Sequence, residues 1–464
     1  MAAAFKCKAV VPRSDQALLD IVPRWSETSV ELPALILEPE IDEDIVDAIK
    51  FAKTNGLILV VANGTCGPFV PITSKTLYMK MSRFNHVDLD MSSETVRIGG
   101  GATTAAVMKA ITKAGYYTLW PNSDAVGYVG CLLGGGSSTM NGLHGYMVDA
   151  VVSIQLITAD GSKLEVGPFS TGKERDLFNV LCGAGFGFGV ITSVVMKAFR
   201  ISNLHLDNNN NIWTRRVILP ANAIEIAART FAVMHQVPPA LTMTMVCTRS
   251  PPTSEAPGIP ITMITGTYFG PSKEGEVAAA SLFDEELITS ALESVTELVS
   301  LADINLPLKP LSINGGHKGF SSTFLESIDA KAIQEAFDLW LQLGDRHLDA
   351  YPTSLVFNRW NTEAIIRNGQ AEPGRGKFFE HRTQSMVANV MRWSIKKESV
   401  QAVEQFGDNF LRIVRSGSAG PPKSIPNNQR PDMDLEELYS RGKIAEIKEI
   451  KYTWDPLGMF WCPV

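Results

Sequence analysis

Residues that could hold a metal ion are scarce in this sequence, which has six cysteines and seven histidines among 464 residues. The cysteines are scattered, without the CxxC or mixed Cys/His spacing that zinc sites use. They are Cys7, Cys66, Cys131, Cys182, Cys247 and Cys462. We therefore expect no metal site and regard most of the cysteines as small core residues.

Long apolar runs and basic clusters are also missing. No stretch approaches the roughly 20 apolar residues that span a bilayer, and Met1 to Lys6 leads into charged sequence rather than the apolar part of a signal peptide. The net charge of -7 argues against a nucleic-acid partner, because no basic patch is available to replace counterions on phosphates. We expect a soluble protein, cytoplasmic as the sequence stands, without a membrane or nucleic-acid partner. Secretion stays open, because a leader could have been removed.

What is present is the composition of a large globular protein. Hydrophobic residues make up 45% and charged residues 20% of the chain, the usual balance of a packed soluble protein. The length suggests roughly three folding units of about 150 residues each. A composition change near residue 202 and a Pro/Gly/Ser/Asn-rich stretch at 416–430 predict three segments: 1–201, 202–425 and 426–464. The first should divide into two α/β subdomains, about 1–90 and 91–201.

Hydrophobic periodicity predicts alternating helices and strands in the first segment. A helix at 42–55 precedes an apolar strand at 57–61, and a second α/β unit begins with a strand at 95 and a helix at 104–114. Strands at 151–158, 163–166 and 190–196 follow. In the second segment β-rich stretches, such as 241–248 and 261–268, alternate with helices, and a charged helix is predicted at 435–451.

Three glycine-rich runs dominate the first half of the chain: Asn63-Gly64-Thr65-Cys66-Gly67, the stretch from Gly127 to Gly136, and the stretch from Gly183 to Gly189. Glycine lets a backbone approach a ligand closely and point N–H groups at phosphate oxygens, so the runs indicate a diphosphate cofactor. None is a Walker A motif, and the third lacks GxGxxG spacing because Phe188 occupies its third glycine position. A Rossmann site is therefore disfavoured. Any one run alone is more simply a tight turn.

The order of these motifs resembles the FAD-binding domain of the FAD-linked oxidases, in particular the berberine-bridge-enzyme-like branch. The run at 61–66 is similar to the family's V-R-x-G-G-H loop, and residues 96–102 to its V-R-V-G-A-G-A turn. Residues 126–136 resemble V-G-V-G-G followed by L-G-G-G, and 145–161 resemble G-x-x-x-D-x-V followed by V-T-A-D-G. The stretches 176–192, 380–382 and 452–460 resemble D-L-F to G-I-V-T, the middle-domain H-R, and the terminal K-Y-D-P-x-N-V-F.

The resemblance implies an α+β fold: a two-subdomain FAD-binding domain of the PCMH/VAO type and a substrate domain made of an antiparallel sheet covered by helices. It also implies FAD as cofactor, with the last segment returning to the FAD domain. The cofactor-binding residues carried over from the family motifs are Asn63, Gly64, Thr65, Cys66, Gly67, Pro121, Ser123, Val126, Gly127, Gly130, Cys131, Gly134, Gly135, Gly136, Asp149, Gly189, Val190, Ile191 and Lys443.

Two positions depart from the family in ways that affect the flavin. The histidine that tethers the flavin ring aligns with Cys66, and the second, cysteinyl tether aligns with Ser123. Attachment through both is therefore excluded if the alignment holds. We favour non-covalent FAD, with a single thioether through Cys66 as the alternative, since a thiolate is a capable nucleophile when its pKa is lowered.

The family's catalytic carboxylate is also missing, because it aligns with the acid-free stretch 356–360. Tyr439, which aligns with a family tyrosine, and His381 are the candidates to replace it. A tyrosine needs a cationic neighbour to act as a base at neutral pH, and a lone histidine is more often structural. The family's flavin-contacting asparagine aligns with Lys443, which either pairs with the flavin or faces solvent.

The resemblance implies an FAD-dependent oxidoreductase that takes a hydride from a small, hydrophobic secondary metabolite onto flavin N5, with molecular oxygen as the usual acceptor. Because a tether and the base are missing, a non-redox cyclisation or isomerisation is the alternative. A third hypothesis is a binding protein that has lost its flavin. Aromatic and Met residues of the middle segment either line a substrate pocket or are ordinary core: Phe320, Phe324, Trp360, Met386 and Trp393.

Overall fold

Three β-sheets organise the chain in the computed structural model, which describes residues 5–464 apart from 208, 209, 252, 255, 372–375, 377 and 432. The first sheet has the order β1-β2-β4-β3, with β1 antiparallel to β2 and the other pairs parallel. Its strands are β1 Lys8–Val10, β2 Leu35–Glu38, β3 Ile58–Ala62 and β4 Thr76–Lys80, and its helices are α1 Asp15–Ile21 and α2 Asp42–Asn55.

Helix α2 illustrates how local sequence determines this layer. Three acidic residues occupy its first turn, where they complement the positive end of the helix dipole, and it ends at Gly56, which has a φ of 62°. Ile45, Ala48, Ile49 and Ala52 form a buried stripe with helical spacing. The predicted helix at 42–55 is confirmed.

The second sheet is antiparallel and has the order β5-β6-β10-β8-β9, while β7 pairs with β11. The strands of this region are β5 Val87–Asp90, β6 Thr95–Gly99, β7 Tyr116–Tyr117, β8 Val151–Ile157, β9 Lys163–Val166, β10 Val190–Lys197 and β11 Phe199–Arg200. Its helices are α3 Thr104–Thr112, α4 Tyr128–Leu133, α5 Asn141–His144 and α6 Gly172–Leu181. The first strand of this sheet begins at Val87, slightly before the subdomain boundary that the sequence predicts at about residue 91.

A third, seven-stranded antiparallel sheet occupies the middle of the chain, in the order β15-β12-β14-β13-β17-β18-β16. Its strands are β12 Asn211–Pro220, β13 Leu241–Arg249, β14 Pro260–Tyr268, β15 Glu293–Ser300, β16 His317–Leu325, β17 Ser354–Arg359 and β18 Met386–Ser394. The helices of this part are α7 Ile224–Val233, α8 Ser272–Ala278, α9 Glu285–Thr289, α10 Ala330–Arg346, α11 Glu363–Ala371 and α12 Val400–Val414.

The two faces of this third sheet have different environments. On β17, Leu355 and Phe357 are fully buried in a core shared with helices α7, α10 and α12. Because successive strand residues point to opposite faces, Val356 and Asn358 lie on the other face, towards the N-terminal half. One face of the sheet is therefore covered by helices and the other borders a cavity.

The C-terminal segment returns to the first sheet. Helix α13, Arg441–Trp454, is followed by a short extended stretch beside β3, where the Leu59 N–H donates to the Met459 carbonyl at 2.7 Å and the Trp461 N–H donates to the Leu59 carbonyl at 3.1 Å. The predicted helix at 435–451 is wrong at its start. Residues 435–437 form a 3-10 turn, and a tertiary contact, the Ser440 N–H donating to the Glu380 carboxylate at 2.7 Å, redirects the chain before α13.

Candidate functional site

A cavity of about 430 Å³ lies between the glycine-rich loops of the N-terminal half and the face of the third sheet that is not covered by helices. The predicted binding residues that line it are Asn63, Gly64, Thr65, Cys66, Gly67, Pro121, Ser123, Val126, Gly127, Gly130, Cys131, Gly189 and Ile191. The fold thus brings residues from three sequence-distant loops to one wall. The opposite wall comes from β16, β17 and β18.

The first two glycine runs pack backbone against backbone at this wall. A Cβ atom on Gly64 would lie 2.2 Å from the Gly127 nitrogen, and one on Gly127 would lie 2.7 Å from the Gly64 nitrogen. Asn63 secures the same junction, because its Nδ2 donates to the Ala102 carbonyl at 2.7 Å. These glycines are required by the close approach of two loops, which only a missing side chain allows.

The first loop presents unused hydrogen-bond donors. Within the described residues, the backbone N–H groups of Gly64, Thr65, Cys66 and Gly67 have no protein acceptor. Thr65 has a φ of 56°, uncommon for a β-branched residue, and its hydroxyl holds the loop by donating to the Pro23 carbonyl at 3.0 Å. Successive free N–H groups in such a loop form an anion-binding concavity.

Gly130 differs from the packed glycines. A Cβ atom there would meet nothing within 4 Å, so this backbone faces the open cavity. The amides of Val129 and Gly130, in the first turn of α4, also lack a protein acceptor in the part of the chain that the structure describes. The second loop therefore adds donors next to those of the first.

Apolar side chains dominate the wall formed by the third sheet. Phe320, Phe324 and Trp360, for which the sequence left pocket lining and core packing open, line the cavity together with Val356, Val387 and Met391. Met386 and Trp393 do not line it. Met386 is fully buried on the helix-covered face, and the Trp393 ring packs 4.0 Å from the Lys318 ammonium.

Three residues near the cavity carry no sequence motif. Arg24 and Trp25 line the wall, and the Trp25 ring stacks on Phe320 with 5.1 Å between centroids. Lys318, almost fully buried on β16, donates to the carbonyls of Trp25, at 2.9 Å, and of Ile313. Burial lowers the pKa of this lysine to about 8. Their recruitment depends on contacts across the fold, so no local pattern could have revealed them.

Comparison with known proteins agrees with this architecture. Residues 33–167 match the family described as an FAD binding domain. The FAD-linked oxidoreductase fogF of Aspergillus ruber is 25% identical over 452 residues, covering 95% of this chain and 87% of the relative. The FAD-linked oxidoreductase azaL of Aspergillus niger is 28% identical over 408 residues, covering 86% and 81%.

Solved structures share the fold at low sequence identity. Physcomitrella patens BBE-like 1 superimposes with a TM-score of 0.83 at 16% identity, covering 100% of this chain and 97% of that protein. The 6-hydroxy-D-nicotine oxidase of Arthrobacter nicotinovorans gives 0.77 at 16% identity, covering 98% and 96%.

Residues 33–167 are therefore an FAD-binding domain, and the predicted resemblance of the chain to the berberine-bridge-enzyme-like FAD-linked oxidases is confirmed. The α+β fold of the PCMH/VAO type, predicted from the resemblance, is confirmed, and so are the enzyme class and FAD as the cofactor. The cavity wall fits FAD on two counts. The free amides of residues 64–67 suit a diphosphate, and the packed pair Gly64 and Gly127 leaves the wall without side chains where a ligand must approach.

The family's tether position is occupied by a protonated thiol. Burial raises the pKa of Cys66 to about 11, although the nearby Arg24 and Lys318 cations oppose the shift. The Sγ donates to the Gly64 carbonyl at 3.1 Å. Ser123, at the second tether position, lies on the same wall and its hydroxyl shares a 2.9 Å hydrogen bond with that of Ser312. Neither geometry activates a nucleophile.

Gly134, Gly135 and Gly136 lie behind the cavity wall and serve packing. A Cβ on Gly135 would lie 2.3 Å from the Phe379 ring, and one on Gly136 would lie 2.6 Å from the Met147 sulfur. Gly134 is equally close to Asn427. Val190, fully buried, belongs to the core of the first sheet. These family positions are thus placed one layer away from the cavity.

Asp149 also lies outside the cavity wall. Its fully buried carboxylate pairs with Arg382, whose Nη2 and Nη1 donate to Oδ1 and Oδ2 at 2.8 and 3.0 Å. The same carboxylate accepts the Tyr146 N–H at 2.9 Å. This pair joins the second subdomain to the segment before β18.

The three remaining predicted residues are likewise absent from the cavity wall. The fully buried Tyr439 hydroxyl donates to the Gly183 carbonyl at 3.1 Å, and burial raises its pKa. His381 Nε2 is 2.9 Å from the Glu437 carbonyl, and burial lowers its pKa. Lys443 pairs with Glu446 at 3.3 Å. Each side chain has a structural partner, and the fold does not bring them together.

Proposed function

We propose that the protein is an FAD-dependent oxidoreductase whose cavity holds the flavin against the glycine loops and a small, apolar secondary metabolite against the third sheet. The observation that carries this proposal is the asymmetry of the cavity: free backbone donors on one wall, and an apolar face with Phe320, Phe324 and Trp360 on the other. When bound, FAD supplies the acceptor for a hydride from a substrate carbon. The fungal relatives, which are named FAD-linked oxidoreductases, support the same assignment.

Residues of this chain would bind and orient both molecules. The amides of Gly64 to Gly67 and of Gly130 would hold the diphosphate, and Phe460 and Trp461, returned to the cavity by the C-terminal segment, would cover part of it. A protonated Cys66 favours non-covalent FAD, because the thiol rather than the thiolate is present near neutral pH. Molecular oxygen is the proposed electron acceptor.

An absorption spectrum and an anaerobic titration test this function. The purified protein should be yellow, acid precipitation should release the flavin into the supernatant, and a substrate should bleach the visible band under nitrogen. Flavin that stays with the precipitate would refute non-covalent binding. A colourless protein that cannot be reconstituted with FAD would refute the cofactor assignment.

A non-redox cyclisation or isomerisation is the second candidate, and one observation favours it. Among the described residues, the cavity wall includes no Asp, Glu, His, Lys or Tyr, and Arg24 is the one charged side chain there. The wall thus lacks the proton acceptor expected of an oxidase. This candidate predicts a product of unchanged mass and no oxygen consumption, which mass spectrometry and an oxygen electrode distinguish from oxidation.

A further inference from the structure

Two asparagine side chains interrupt the apolar wall of the third sheet. Asn358 on β17 and Asn389 on β18 both line the cavity. In the β17/β18 register Val356 pairs with Asn389 and Asn358 pairs with Val387, so the two amides are diagonal neighbours on one face. Diagonal neighbours in an antiparallel pair lie roughly 7–8 Å apart, within reach of one small ligand.

Hydroxyl groups on the adjoining strands orient both amides. Thr244 on β13 donates to Asn358 Oδ1 at 2.9 Å, and Ser322 on β16 donates to Asn389 Oδ1 at 2.7 Å. The Ser322 hydroxyl in turn accepts from Asn428 Nδ2 at 2.9 Å. Each carbonyl oxygen is therefore already engaged by a hydroxyl donor.

The Nδ2 groups of the same two residues are left as free donors. No acceptor for either is found in the part of the chain that the structure describes, and neither is sealed from the cavity space. Of their neighbours on the wall, Val356 and Val387 cannot accept a hydrogen bond, and the Met391 sulfur is a weak acceptor at best. Leaving donors unpaired in an apolar site costs free energy, which a ligand oxygen would recover.

We propose that Asn358 and Asn389 bind an anionic oxygen of the substrate, so that the natural ligand is an apolar compound with an acidic phenol or enol group. Amide donors in an apolar cavity stabilise a negatively charged acceptor more than a neutral one. The substrate would release its proton to solvent before it binds. That accounts for a cavity wall without a side-chain base. The inference deepens the proposed function and rests on it for the identity of the cavity as the substrate site.

Binding of phenols to the holoprotein tests the inference by isothermal titration calorimetry. The probes are phenol, 4-chlorophenol and 4-nitrophenol, in order of increasing acidity, with 4-nitroanisole as a match for 4-nitrophenol that cannot ionise. Affinity should rise with acidity, and 4-nitrophenol should bind more tightly above its own pKa than below it. 4-Nitroanisole should bind weakly and independently of pH.

Variants identify the donors. Asn358→Leu and Asn389→Leu should each weaken 4-nitrophenolate binding by roughly 10- to 100-fold, the effect of removing a hydrogen bond to a charged acceptor, and leave 4-nitroanisole binding unchanged. Asn389→Asp keeps the shape of the side chain and repels the anion, so it should weaken 4-nitrophenolate binding further. This variant replaces a leucine variant as the test if the leucine variant does not fold. Thr244→Val, which frees the Asn358 amide to rotate, should have an intermediate effect. Thr248→Val is the matched control, because the Thr248 and Ser354 hydroxyls pair on the same two strands away from the cavity.

The outcomes separate this inference from the proposed function. Equal binding of 4-nitrophenol and 4-nitroanisole, or unchanged phenolate affinity in the asparagine variants, would overturn the inference while a yellow holoprotein leaves the oxidoreductase assignment intact. A protein that cannot be loaded with flavin, yet binds phenolates through the two asparagines, would overturn the proposed function and support the donor pair.

Discussion

Removing the Arg382 side chain should destabilise the protein more than neutralising its partner Asp149. The guanidinium makes two hydrogen bonds to the carboxylate, at 2.8 and 3.0 Å, and a third to the Ile365 carbonyl at 3.0 Å. The Asp149 side chain is 0% exposed and that of Arg382 11%. Deleting one partner of a buried ion pair typically costs about 3–5 kcal/mol, since the other charge remains uncompensated. We expect Arg382→Met to lower the free energy of unfolding by that amount.

Asp149→Asn should cost less. The asparagine keeps the shape and an acceptor for the Tyr146 N–H, and the partly exposed Arg382 keeps its bond to Ile365. The loss of charge-assisted hydrogen bonds alone is worth about 1.5–3 kcal/mol. Flavin content per folded protein should be unchanged in this variant, because Asp149 lies outside the cavity wall.

Urea titrations followed by far-UV circular dichroism, with flavin fluorescence as a second probe, measure both effects. Arg200→Met is the matched control: its ion pair with Glu94 is about half exposed, with side-chain exposures of 51% and 47%, so the loss should stay below about 1 kcal/mol. If Asp149→Asn lost flavin without losing stability, the residue would be a cofactor ligand, as its family position predicts. If Arg382→Met lowered the free energy of unfolding no more than the Arg200→Met control does, the ion pair would not join the two parts of the fold.

Three further predictions concern the cavity wall. Iodoacetamide should modify Cys66 of the flavin-free protein about 100-fold more slowly at pH 8 than an ordinary cysteine, because its raised pKa of about 11 leaves little thiolate. The rate should rise about tenfold per pH unit towards pH 11. A midpoint of the pH–rate curve below pH 9, followed by peptide mass spectrometry, would contradict this. Gly64→Ala should abolish FAD binding, because its Cβ would lie 2.2 Å from the Gly127 nitrogen of the facing loop. Gly130→Ala should fold normally, because its Cβ would meet nothing within 4 Å. The flavin absorbance of the two variants at equal protein concentration checks both expectations. Lys451→Met removes the ammonium that donates to Asp455 and to the carbonyls of Gly187 and Phe460. The variant should therefore expose the C-terminus to carboxypeptidase. Resistance equal to that of the wild type would show that the ammonium does not hold this segment.

Local signals were sufficient for much of the N-terminal half. Helix α2 combines an acidic first turn, an apolar stripe and a terminal glycine, all of which act within a few residues, so its bounds follow from the sequence. The loop at 63–67 was also recognisable, because backbone approach to a ligand restricts which residues can stand there. The final helix was less predictable, since its start at Arg441 depends on a contact between Ser440 and the distant Glu380.

The sequence by itself determined the resemblance to FAD-linked oxidases, the cofactor and the order of the elements, because these depend on periodicity and on glycines whose backbone requirements are local. Only the tertiary structure decided which polar residues face the cavity. Tyr439 and His381 have the chemistry of a base but are directed to backbone carbonyls. Asn358, in the stretch that aligns with the family's carboxylate, and Asn389, which no motif marks, are brought together by strand register. Burial and hydrogen-bond partners come from residues far apart in the chain, so the role of a polar side chain cannot be read from its neighbours in sequence.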